Sequence, residues 1–208
     1  MSILLRAGEL TGRPVVTLGG ERIAEVKDVV FDRGAGSVAG FTLNNHGLFS
    51  RSRKDALPWS GVHGLGSDAV MIRVEEVLVP VDEVAPKAER RNGDVLSGAV
   101  LTETGQEIGT VTDVILQVGP GPTSDSSESG TSEREFMTAE VVGYEIEAGQ
   151  QMRSPGRRVY VPVPATRAVS GERLVVPATV TDFVADDLAG FGAAVDAFRA
   201  RLASDGGA

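Results

Sequence analysis

The side chains best suited to chemistry are scarce in this 208-residue chain, which holds two histidines, His46 and His63, and no cysteine. Without a thiol there is no cysteine nucleophile, disulfide framework or cysteine zinc site, and the redox compartment stays open. His63 lacks a second histidine or a carboxylate pair at ligand spacing. His46 lies in Asn44-Asn45-His46-Gly47, the composition of a polar hairpin. Glu75-Glu76 offers oxygens to a hard cation, but a solvated strand end accounts for the pair more simply. Gly34-Ala35-Gly36 reads as a turn, because no helix follows it to form a phosphate cradle. The motifs G-x-x-x-x-G-K-S/T, H-E-x-x-H, the EF-hand loop and G-x-S-x-G are all missing. The expectation is a protein that is not an enzyme, with no catalytic residue, metal or cofactor.

Two loops hold the remaining chemistry. Arg51, Arg53 and Lys54 form one basic stretch, and Arg153, Arg157 and Arg158 form another at the matching place further along. Paired basic loops could grip a phosphate, an acidic peptide or an anionic surface. Charges that guard sheet edges against aggregation would look the same. Around them the chain is acidic, with 20 basic against 29 acidic residues and a net charge of −9. A field of that sign repels a phosphate backbone and disfavours direct nucleic-acid binding. No run approaches the roughly 20 apolar residues of a membrane span, and no signal peptide is apparent, so a cytoplasmic location is expected.

What must position these groups is a set of short strands. With 41% hydrophobic residues the composition is that of a globular protein. Its 26 glycines and 10 prolines punctuate β-branched runs such as Pro14 to Leu18, Val26 to Phe31, Val38 to Leu43 and Ala69 to Val74. The segment Gly20-Glu21-Arg22-Ile23-Ala24-Glu25-Val26-Lys27-Asp28-Val29-Val30 returns 85 residues later as Gly105-Gln106-Glu107-Ile108-Gly109-Thr110-Val111-Thr112-Asp113-Val114-Ile115. Ala39-Gly40-Phe41-Thr42-Leu43 returns at an offset of 103, and Leu57-Pro58-Trp59 at 104, as Val161-Pro162-Val163. The jump marks an insertion in the second copy, where the acidic Ser/Gly tract at about 119–135 predicts a disordered hairpin loop.

Within each copy Gly20 or Gly105 supplies the positive φ of a hairpin turn. The alternation that follows breaks near Asp28, which predicts a bulge of the kind that bends a strand into a small barrel. Asp28 and Asp113 read as acceptors for nearby backbone N–H groups. Trp59 is either a core residue or an exposed contact, with core packing the simpler reading.

After the repeats, Val184, Leu188, Phe191, Val195, Phe198 and Leu202 recur at spacings of 4, 3, 4, 3 and 4, which predicts a helix over 182–203. Its narrow stripe admits docking on the chain's own barrels, self-association into a homodimer through paired helices, or a foreign partner.

The order Gly20…Ile23-Ala24-Glu25-Val26-Lys27-Asp28-Val29, Val38-Ala39-Gly40-Phe41, Ala56-Leu57-Pro58-Trp59 and Gly66-Ser67-Asp68-Ala69-Val70-Met71 resembles the PRC-barrel family. That family includes the cytoplasmic domain of the photosynthetic reaction-centre H subunit and the C-terminal domain of the ribosome maturation factor. The resemblance is close over about 6–82 and looser over about 93–180. It implies a small barrel of about six strands per copy and a role in binding other proteins, without a catalytic signature. The expected fold is therefore all-β, two tandem small antiparallel β-barrels followed by an amphipathic helix. The first would span 1–86, a linker 87–92, the second 93–181, the helix 182–203 and a disordered tail 204–208. The expected function is a non-catalytic cytoplasmic protein-interaction module. The alternatives are a ribosome-assembly or RNA-associated factor, by analogy with the maturation factor, and a small-ligand carrier or enzyme.

Overall fold

The computed structural model describes residues 2–32, 36–45, 52–86, 95–121, 137–163 and 173–205. The chain is mostly β, a curled half-barrel sheet with one long C-terminal helix. Strand β1 (Ile3–Arg6) leads into a 3-10 turn, Ala7–Leu10, and the first repeat follows as β2 (Pro14–Thr17), β3 (Arg22–Asp32), β4 (Ser37–Asn44) and β5 (Ser52–Pro58). Its remaining elements are β6 (Val62–Leu65), β7 (Val70–Ile72), β8 (Val79–Pro80) and a single helical turn, α1 (Val81–Val84). The second repeat contributes β9 (Ala99–Thr102), β10 (Glu107–Pro120), β11 (Met137–Ala148), β12 (Arg158–Pro162) and β13 (Arg173–Val176). Helix α2 (Leu188–Asp205) closes the chain.

The sequence repeat reappears as equivalent backbone geometry. Gly20 and Gly105 have φ of 85° and 82°, and each ends a turn in which Thr17 or Thr102 accepts its N–H at 2.9 or 2.8 Å. The same threonines accept the N–H of Glu21 and Gln106 on their hydroxyls, at 3.2 and 3.1 Å. The expected bulge is present in both copies, between Val26 and Asp28 and between Val111 and Asp113. A second bulge follows at Val30/Phe31 and at Ile115/Leu116. Two register breaks in one strand bend it enough to curl the sheet around its core.

Three expectations are corrected. First, the pairing is not wholly antiparallel. Strand β2 runs parallel to β7, with Val15 opposite Val70, and β9 runs parallel to β13, with Val100 opposite Leu174. A parallel pair needs a long crossover, and here the intervening strands of the same repeat supply it in place of a helix.

Second, the two copies do not have separate cores. All thirteen strands belong to one sheet, and Ile23, Val26 and Leu43 share a continuous core with Ile108, Val111 and Leu116. Phe31, expected inside, is only half-buried against that core. Among the described residues no ladder closes either copy into a ring.

Third, the helix begins at Leu188 rather than 182. Residues 178–183 form a 3-10 segment after Pro177, and Ala185 then exchanges backbone hydrogen bonds with Tyr160 at 2.8 and 3.0 Å. Asp187 caps the helix by accepting the Gly190 N–H at 2.7 Å. Helix α2 also runs through Asp205, past the expected end at 203.

The copies join in two places. Strand β1 pairs antiparallel with β10 of the second copy, from Ile3 opposite Val118 to Arg6 opposite Ile115. Strand β4 meets β11 at Ser37 and Glu140, beside a 2.7 Å hydrogen bond from the Val141 N–H to the Gly36 carbonyl. The linker 87–92 and residues 122–136 of the insertion lie outside the described residues. Gly119 and Pro120, which composition placed in the loop, belong to β10, with Pro120 opposite Met137.

The apolar stripe of α2 is covered by its own chain. Phe191, Val195 and Phe198 are buried, and Val184, Leu188 and Leu202 are half-buried against the core. Gly143 makes the fit possible, since a Cβ there would lie 2.4 Å from Phe191 Cζ and 2.4 Å from the Val161 carbonyl oxygen. Gly143→Ala is expected to cost about 1–3 kcal/mol through overpacking, read as a lower urea midpoint with an unchanged slope.

Candidate functional site

The one buried carboxylate among the described residues is Glu145, 1% exposed, on β11. Its two neighbours along the strand, Tyr144 and Ile146, point the other way into the core. Pairing places Tyr160 of β12 directly opposite Glu145, with Arg158 two residues away on the same side. Strand β1 brings Arg6 in from the other flank, across β10. The Arg6 guanidinium donates through Nε to Glu145 Oε2, through Nη1 to Glu9 Oε1 at 3.0 Å, and through Nη2 to the Tyr160 hydroxyl. Arg158 Nη1 takes the second Glu145 oxygen, Oε1, at 3.2 Å.

Arg6 Cζ also stands 5.5 Å from the centre of the Tyr160 ring, whose centre lies 5.7 Å from that of Phe191. The hydrogen bond to Glu145 holds the Arg6 pKa above its ordinary value, against the opposing effect of burial. A carboxylate with both oxygens taken by guanidiniums is neutralised in place. Such a group binds and orients; it offers no free base or nucleophile. No motif or spacing marks Arg6, Glu145 or Tyr160 in the sequence. The signal lay in the repeat itself, where Glu145 stands in place of Thr42 and Tyr160 in place of Ala56.

Arg53 donates to Asp55 at 3.1 Å, to Glu75 at 2.9 Å and to the Ile23 carbonyl at 2.9 Å. Burial works against its charge, but Glu75 and Asp55 outweigh it and raise its pKa. Arg158 pairs with the buried Glu145, whereas Arg53 pairs with the solvent-accessible carboxylates of Asp55 and Glu75. Lys54, Arg153 and Arg157 are exposed, and Arg51 and His46 lie outside the described residues.

His63 is exposed, and among the described residues no three potential ligands gather to hold a metal. Asp113 accepts the Gly8 N–H at 3.0 Å and the Val114 N–H at 2.7 Å, as expected of a backbone acceptor. Asp28 takes the Thr42 hydroxyl at 3.1 Å instead. Trp59 packs against the core, as the simpler of its two readings expected, although it is not fully enclosed. Half-buried and 5.9 Å from Phe41, it donates its indole N–H to the Met137 carbonyl of the other copy at 2.7 Å.

Residues 3–79 match the family model of the PRC-barrel domain. This stretch is a PRC-barrel domain. Its match begins at Ile3, so the PRC-barrel segment includes β1, the strand that lies on the second copy. No curated protein gives a significant match to the chain. Among the described residues no helix is long and apolar enough to cross a membrane.

On β11, outside the matched residues, Tyr144 is 4% exposed, and burial pushes its phenol up to about 12. The unfolded phenol ionises near 10, so the folded form keeps its proton over the next two units. A raised pKa gives stability that is complete below pH 10 and lost as the pH climbs toward 12. Up to roughly 2–3 kcal/mol is expected to disappear across that window. Tyr144→Phe should flatten this loss in urea titrations at pH 9 and pH 11.

Proposed function

We propose that the chain is a non-catalytic, cytoplasmic protein-interaction module built from tandem PRC-barrel repeats. The observation that carries this reading is how the one buried charge among the described residues, Glu145, is used. Glu145, Arg6, Arg158 and Tyr160 bond to one another across strands, which leaves none of these four poised for acid–base or nucleophilic work. A net charge of −9 weighs against a phosphate backbone as the partner and favours a protein surface.

The test is affinity capture with the tagged full chain from native lysate, followed by reconstitution with each purified candidate. Saturable, stoichiometric binding to one purified protein is the expected result. Cosedimentation with small ribosomal subunits that weakens as salt rises would replace this reading with the ribosome-assembly one. A specific metabolite that raises the melting temperature would overturn it in favour of a ligand carrier or enzyme.

A further inference from the structure

We infer that each repeat presents a surface built to receive the other repeat, and that Glu145 sets which strand is accepted there. The inference concerns the repeats themselves and holds whatever the external partner is. Strand β1 belongs to the first copy by chain order, yet its backbone pairs over four residues with β10 of the second. Hydrogen bonds outside this ladder also join the copies. Gly8 donates to Asp113, Trp59 donates to the Met137 carbonyl, and Val141 donates to the Gly36 carbonyl.

The core runs through this junction without a break, so separating the copies would expose apolar surface on both. Glu145 adds selectivity to that hydrophobic contact. Arg158, the cation from its own copy, is 72% exposed, whereas Arg6 from the other copy is 31% exposed and covers the carboxylate. A strand without a cation at the Arg6 position would bury Glu145 with a single, solvent-facing partner, which low-dielectric surroundings penalise. The fitting partner is therefore an extended apolar strand that ends in arginine, presented by a second copy of this fold. In this protein that partner is supplied within the same chain.

The test uses the full chain with a protease site inserted between Lys87 and Ala88, cut after folding. The two pieces are expected to co-elute as one particle at micromolar concentration and to keep the far-UV spectrum of the uncut chain. Arg6→Ala in the cut chain should raise the dissociation constant at least about tenfold. Arg6→Ala combined with Glu145→Leu, which removes the buried charge, should bring it back to near the wild-type value. Separation of the pieces on cutting would overturn the inference. So would an unchanged affinity for Arg6→Ala. Should the single variant fail to fold, the double variant decides the point: association supports the role of Glu145, and failure to associate contradicts it.

Discussion

Removing residues 188–208 is expected to lower the stability of the chain by at least about 4 kcal/mol. Phe191 and Phe198 are fully buried and Val195 is 3% exposed, and burying a side chain of this kind contributes roughly 1.5–3 kcal/mol. Ordering the helix costs conformational entropy that offsets part of the gain, so the net effect is smaller than the sum. Truncation also uncovers Ile115, Val142 and Tyr160, which share a cluster with Phe191. For a chain of this size the loss corresponds to a fall of roughly 10 °C in melting temperature. Because the stripe is occupied by the chain's own sheet, the mass in solution should not change on truncation. Light scattering alongside thermal denaturation checks both parts.

Arg6→Ala carries the second large effect, about 3 kcal/mol of destabilisation. Breaking a buried ion pair from one side costs about 3–5 kcal/mol, because the remaining charge is left uncompensated. The low end applies here, since Arg158 still reaches the other Glu145 oxygen at 3.2 Å. Glu145→Leu in the same chain should recover most of the loss, because an apolar pair in place of a buried ionic one is often neutral or better. Urea unfolding of the single and double variants measures the coupling directly.

The repeat was the most legible feature of the sequence. Offsets of 85 and 104 pair Val15 with Val100 and Val70 with Leu174, and those residues form the equivalent parallel bridges of the two copies. Gly20, Gly105 and the bulges beside Asp28 and Asp113 could also be read, because turn and bulge chemistry is local. The sharing of one core was not legible. A four-residue apolar strand such as Ile3–Arg6 fits the edge of either copy equally well by pattern, and nothing in a repeat alignment says which copy receives it. Glu145 was hidden for a related reason. Arg6 and Glu145 are 139 positions apart, beyond any spacing rule for charged pairs. The start of α2 was misplaced because Val184 falls in step with the stripe, although it lies in extended backbone before the Asp187 cap.

Both copies are expected to fold as a single unit, and one equilibrium experiment tests this directly. Trp59, the sole tryptophan, sits in the first copy against the Met137 carbonyl of the second. Helix α2 packs over the second copy through Phe191, beside Tyr160 and Gly143. Urea unfolding followed by Trp59 fluorescence and by the helical signal at about 222 nm therefore reports on the two copies separately. Coincident transitions, with one midpoint and one slope, are expected. Two separated midpoints, with Trp59 and the helix unfolding independently, would contradict folding as a single unit.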